Sequence, residues 1–97
     1  MRYELKATKQ FTKWVGKLKD RNAANAIAVR LTRVEAGLFG DMKSVGSGIS
    51  ELRITIGKGY RIYFTIRQQT IAVLLCGGDK SSQDTDITQA KKLPKEI

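Results

Sequence analysis

A chain of 97 residues with a 41% apolar share has room for one modest core and is too apolar to be disordered. Eighteen Lys and Arg against nine Asp and Glu leave a formal charge of +9, which points to an anionic partner: nucleic acid, an anionic membrane or an acidic protein. No histidine and a single cysteine, Cys76, exclude an internal disulfide and make a zinc site unexpected; the lack of a long apolar run or an apolar leader predicts a cytoplasmic protein with no membrane span, metal or cofactor.

The alternation in "RYELKA" predicts a short first strand. In "TKQFTKWVGKLKD", Phe11, Trp14, Val15 and Leu18 recur at helical spacing, with Thr8 as N-cap and Lys9, Lys13 and Lys17 on the other side. Asp20 or Asn22 starts a second helix with the stripe Ala24, Ile27, Ala28, Leu31 and Val34, which Gly37 stops. The two helices form a hairpin. The glycine-rich "GLFGDMKSVGSG" reads as a loop. Next, "ISELRITI", "YRIYFTIR" and "TIAVLLC" read as a three-strand antiparallel meander, joined by "GKG" and "RQQT". A short helix follows, with Ser81 or Ser82 as cap, Asp84 and Asp86 near its start, and Pro94 closing it. The fold class is α+β, one domain over 1–97, with the N-terminal strand and helical hairpin packed on the meander.

The apolar pattern predicts a register. Ile54 is set opposite Ile62, and the last strand pairs as Ile62–Leu75, Phe64–Val73 and Ile66–Ile71, all on the face that packs on the hairpin. The opposite, open face then carries Glu51, Arg53, Thr55, Arg61, Tyr63, Ala72, Leu74 and Cys76. Arg61 lies between Thr55 and Cys76, and Arg53 lies opposite Tyr63. The stretch "LLCGGDKSSQ" ends the last strand beside Arg61, and its two glycines are expected to turn the chain and deliver Lys80 to that spot. Surface pairing with Glu51 and Asp79 would account for any one of these cations alone. Arg53, Arg61 and Lys80 together, with Lys43 available from the preceding loop, point to phosphate, which the arginine fork grips in two places. Tyr63 is the one aromatic residue of this face. Phe11 and Trp14 are core residues, and Cys76, with no histidine to activate it, is an inert strand thiol.

The order of elements, with "GDMKSVGSGISELRI", "GKGYRIYF" and "LLCGGDKSSQDTDI", resembles the RelE/ParE toxin superfamily, and within it the HigB-like, phage-type addiction module killer proteins. The resemblance covers nearly the whole chain. It implies a RelE-like fold and the toxin of a bacterial type II toxin–antitoxin module: a ribosome-dependent endoribonuclease, or mRNA interferase, that arrests growth. In that chemistry the RNA's own 2′-hydroxyl attacks the adjacent phosphate, with no metal. Arg61, in "GYR", is similar to the arginine that contacts the scissile phosphate in relatives. Lys80 falls where they carry a basic residue after the last strand, and Arg53 near a basic position on the preceding one. Arg53, Arg61 and Lys80 are therefore the expected catalytic residues, and Lys43 and Tyr63 the expected RNA contacts. The implied partners are mRNA, the ribosome and a cognate antitoxin of the helix-turn-helix, DNA-binding kind. Two features cut the other way. Some relatives place a Tyr or His in the C-terminal segment, where this chain reads "SSQDTDI", and the ParE branch inhibits DNA gyrase without nuclease activity.

Overall fold

The structure, a computed structural model, describes residues 2–93. The elements run β1 (Glu4–Ala7), α1 (Lys9–Gly16), α2 (Arg21–Glu35), β2 (Met42–Gly46), β3 (Ile49–Ile54), β4 (Tyr60–Arg67), β5 (Ile71–Gly78), a 3-10 turn (Lys80–Ser82) and α3 (Gln83–Lys92). They build one five-stranded sheet of order β1-β5-β4-β3-β2. β1 lies parallel to β5, and the other neighbours are antiparallel. Pro94 lies outside the described residues.

Both helix starts follow from their side chains. Thr8 accepts from the Phe11 amide at 3.0 Å and Asp20 from the Ala23 amide at 3.1 Å. The Thr8 hydroxyl also donates to the Leu75 carbonyl at 2.6 Å, pinning α1 to the middle of β5. Phe11, Trp14, Val15 and Leu18 pack on the sheet as their spacing predicts. The buried stripe of α2 is Ala23, Ile27 and Val34, with Ala26 and Leu31 beside it; Ala28 stays exposed. α2 ends at Glu35, and Gly37 follows in the left-handed conformation (φ 84°).

Four features correct the sequence reading. The expected loop contains β2, an exposed edge strand whose hairpin turn needs left-handed backbone at Ser47 (φ 57°) and Gly48 (φ 73°). Leu52, not Ile54, faces Ile62, because Thr55 and Ile56 belong to the loop 55–59. That slip of two residues keeps every side chain on its expected face but sets Arg53 opposite Arg61 and Glu51 opposite Tyr63. On β5 the offset is one residue: Phe64 faces Leu74 and Arg67 faces Ile71, so Ala72 and Leu74 join the helical side while Val73 and Leu75 turn away. A bulge between Tyr63 and Phe64 then sets Tyr63 opposite Cys76 and Arg61 opposite Gly78.

The fourth correction concerns the second face, which is not open. Ile49, Tyr63, Val73, Leu75 and Cys76 form a second core there, closed by Ala90, Ile87 and Leu93 of the C-terminal segment. The sheet is thus packed on both sides, and Arg53 and Arg61 lie beside Lys80 of the 3-10 turn that precedes α3.

Candidate anion-binding site

The site forms where β3 and β4 approach the loop 55–59. Arg53 and Arg61 are direct cross-strand partners. Such neighbours share a face and repel one another, so each needs a counter-charge. Arg53 has one at the surface: Asp41 accepts from its Nη2 at 3.1 Å and its Nε at 3.3 Å. Both partners are well exposed, so this pair contributes little stability and leaves Arg53 accessible.

Arg61 is held differently. Its side chain is only 12% exposed, its Nη1 donates to the Gly59 carbonyl at 2.9 Å, and its Nε lies 3.6 Å from Oε2 of Glu51. Glu51 is fully buried, and the same Oε2 accepts from the Tyr63 hydroxyl at 3.1 Å and from Gln83 Nε2 at 2.9 Å. Burial first, then the neighbouring carboxylate, drives the Tyr63 pKa well above its ordinary value, so this phenol stays protonated as a donor. Tyr63 has no exposed surface. The expectation of an exposed ring available for RNA therefore gives way to an internal hydrogen-bond donor beneath α3.

Lys80 arrives as predicted beside Arg61, but not by a glycine turn. Gly77 and Gly78 are the last residues of β5, and neither has positive φ. They are glycines because of close approach. A Cβ on Gly77 would stand 2.4 Å from two ring carbons of Trp14, and one on Gly78 would overlap the Asp86 carboxyl. Asp79 then caps the 3-10 turn, accepting from the Ser81 amide at 2.9 Å. The Lys80 amide reaches the Lys58 carbonyl at 3.4 Å, tying the turn to the loop 55–59. Gly59, between the two cations, adopts the left-handed conformation (φ 76°) that favours glycine; a Cβ there would only touch Arg61 Nη1 and Lys80 Cβ, at 3.6 Å.

The resulting depression, about 320 Å³, is lined by Arg53, Lys58, Arg61 and Lys80 together with Tyr60 and loop backbone, and among the described residues by no carboxylate. Lys58 adds a cation that sequence reasoning did not select. Lys43 lies apart, exposed on β2 opposite Glu51, outside this lining. Sequence reasoning also missed Arg30. Its guanidinium donates to the carbonyls of Arg53 at 2.6 Å, Phe39 at 2.8 Å and Asp41 at 3.1 Å, fixing both halves of the Arg53–Asp41 pair from below. The available signal was its position in α2, three residues after Ile27 and four before Val34, where an arginine enters an apolar stripe. Burial lowers its pKa, with Asp41 opposing the shift.

A family model for phage-derived Gp49-like proteins matches residues 13–95. The chain belongs to this family. A protein of Haemophilus influenzae, described only as uncharacterized, is 48% identical over 97 residues, which span 100% of this chain and 98% of that one. The Gp49-like chain also has the RelE fold that its sequence resembles. A free mutant form of E. coli toxin RelE superposes with TM-score 0.74 at 14% identity, over 97% of this chain and 100% of that one. The Mycobacterium tuberculosis RelBE2 toxin–antitoxin complex gives 0.64 at 19% identity, over 82% of this chain and 100% of that one. The E. coli RelBE toxin–antitoxin complex gives 0.65 at 16% identity, over 79% of this chain and 95% of that one.

Two acidic or thiol groups near the site have structural roles. Asp86 accepts from the Ser82 hydroxyl at 2.5 Å while packed on Gly78, and its partial burial raises its pKa. Cys76 is 2% exposed, and burial, then Asp86, pushes its thiol up to about 12. Native protein at pH 8 is therefore expected to resist iodoacetamide, and protein unfolded in guanidinium to react promptly. Mass spectrometry after timed quenching checks this; prompt labelling of the folded protein would contradict the buried placement.

Proposed function

We propose that this Gp49-like protein is the toxin of a type II toxin–antitoxin pair and acts as a ribosome-dependent endoribonuclease on mRNA. The observation that carries the reading is the cavity lined by Arg53, Lys58, Arg61 and Lys80, with no acid in the lining among the described residues. Such a cavity suits a phosphate that gains negative charge as a 2′-hydroxyl attacks it. That reaction needs the phosphate held in line and its extra charge stabilised, and neither task requires a metal or a protein nucleophile. Arg61, braced from behind, is assigned the charge stabilisation. Lys80 and the more exposed Arg53 are assigned the grip, with Lys43 as a contact further along the RNA. The likeness to RelE supports the same chemistry, and the likeness to the two RelBE complexes supports a cognate antitoxin as partner. The exposed lysines Lys9, Lys13, Lys17 and Lys19 suit an acidic surface of that antitoxin. Among the described residues no helix is long and apolar enough to cross a membrane, which suits action at cytoplasmic ribosomes.

A second reading, gyrase inhibition, is favoured by one observation. The chain has no histidine, Tyr63 is buried and Tyr60 in the lining is only 6% exposed, so the cavity presents no imidazole and little aromatic surface. Brief induction in a bacterial host with transcriptome-wide mapping of mRNA 5′ ends, beside a gyrase supercoiling assay on the purified protein, decides between the two. New ends in codon register within translated regions, with normal supercoiling, are expected. Blocked supercoiling with unchanged mRNA ends would replace the nuclease reading.

Lys80 is exposed, so an arginine fits there without strain. Lys80→Arg is expected to retain most of the turnover, because a gripping role needs charge rather than a transferable proton. Single-turnover cleavage rates check this, and near-complete loss would reassign Lys80 to proton transfer.

A further inference from the structure

The geometry points to Glu51 as the positioning residue of the cation cavity: a fully buried carboxylate that holds the Arg61 guanidinium in place for a phosphate. This rests on the reading of the cavity as a phosphate site. Glu51 has no exposed surface and is not itself among the residues that line the cavity, so it cannot contact RNA directly. Its Oε2 gathers three elements at once: Tyr63 of β4 at 3.1 Å, Gln83 at the start of α3 at 2.9 Å, and Arg61 Nε at 3.6 Å.

The unsatisfied atoms are as informative. Glu51 Oε1 and Arg61 Nε are both buried without a hydrogen bond. An orphaned buried donor and acceptor are costly, and here each is offset by the opposite charge beside it. The carboxylate thus fixes the inner edge of the guanidinium, and the Gly59 carbonyl fixes Nη1. The Gln83 bond adds a second link. Gln83 directly follows the turn that carries Lys80, so the same carboxylate sets Arg61 and the base of the Lys80 turn in one frame.

Two simpler roles for Glu51 predict different results. If it served only to offset charge, its removal would make the cavity more positive and tighten phosphate binding. If it served only the core, its removal would lower stability and leave the affinity of the folded protein unchanged. Positioning predicts weaker binding by protein that remains folded, and only where Arg61 is present.

The test uses Glu51→Gln, which keeps shape and an acceptor oxygen but removes the charge. Its probe is a 2′-O-methyl oligoribonucleotide, which binds without being cleaved. Glu51→Gln is expected to weaken binding about tenfold, the scale of a hydrogen bond or ion pair to a charged group. In an Arg61→Ala background it is expected to change nothing further. The Arg61 Nε–Hε NMR signal, assigned by its loss in Arg61→Ala, is expected to exchange with solvent about tenfold faster in Glu51→Gln as the side chain opens. Gln83→Ala, at a partly exposed position, is expected to move binding and exchange in the same direction by less, and it keeps the test alive if Glu51→Gln does not fold. Equal or tighter binding by folded Glu51→Gln, an equal loss with and without Arg61, or an unchanged Nε–Hε exchange rate would each overturn the proposal. Should Arg61→Ala itself leave oligonucleotide binding intact, the phosphate reading fails, and the exchange rate alone judges whether Glu51 holds Arg61.

Discussion

Arg61→Ala is expected to reduce mRNA cleavage by about 10²–10³-fold, the loss typical of a removed donor to a developing oxyanion. The expectation comes from its place at the back of the cavity, beside Arg53 and Lys80, with a guanidinium fixed at both edges. The sequence alone suggested that this substitution would leave the fold untouched, since Arg61 was set on an open face. The structure changes that expectation. The side chain is 12% exposed and is the counter-charge of a carboxylate with no exposed surface. Its removal strands Glu51 with only neutral donors, at a cost of about 1–3 kcal/mol. A thermal melt must accompany the kinetics. The expected result is a lower midpoint together with a folded, soluble and inactive protein at growth temperature. Cleavage within threefold of wild type by folded Arg61→Ala would remove Arg61 from the site.

Gly77→Ala has the largest expected effect on stability. The added methyl would meet three ring atoms of Trp14 at 2.4, 2.4 and 2.7 Å, well inside contact distance. Gly77 is held to β4 opposite Ile62, and the ring it meets is packed in the core, so the cost falls on the seating of α1. Overpacking of this kind costs about 1–3 kcal/mol. For a domain of this size that lowers the melting midpoint by about 5–20 °C. Trp14→Leu in the same chain is expected to recover part of the loss by shrinking the side chain that collides. A Gly77→Ala protein as stable as wild type, measured by denaturant and heat, would contradict the tight packing of α1 on the end of β5.

What the sequence revealed, and what it concealed, follows from the strength of each local signal. The start and stripe of α1 were legible because Phe11, Trp14 and Val15 repeat at helical spacing and Thr8 is a strong cap, but its end was not: the helix stops at Gly16, and Leu18 packs on the core from beyond it. β3 and β4 were legible as alternating strands, and their facing was right even though the pairing slipped, because a slip of two preserves alternation. β5 was legible as a strand but not as a register. Its run from Ile71 to Cys76 is apolar at every position, so no alternation marks which residues face the helices, and no residue type announces the bulge. β2 was invisible because an edge strand with exposed Met42, Lys43 and Ser44 has no apolar face to read.

The site was legible in part. The proximity of Arg53, Arg61 and Lys80 followed from strand alternation and from the position of the "GGDK" stretch. The support beneath them did not. Glu51 read as a surface partner because nothing local shows that α3 would cover it. The residues that close that face, Ile87, Ala90 and Leu93, are three small contributions in an otherwise polar segment. The two glycines were noticed for the right reason, an unusual backbone demand, but that demand is room for Trp14 and Asp86 rather than a turn.

On the proposed function, the cavity places an RNA phosphate for attack by the RNA's own 2′-hydroxyl. The most direct measurement is the chemistry of the ends produced from a defined mRNA by the purified protein, with and without programmed ribosomes. Cleavage is expected to depend on the ribosome and to leave a 2′,3′-cyclic phosphate or its hydrolysis product on one fragment and a 5′-hydroxyl on the other. Fragments bearing 5′-phosphate and 3′-hydroxyl ends, or intact mRNA in the presence of active ribosomes, would contradict it.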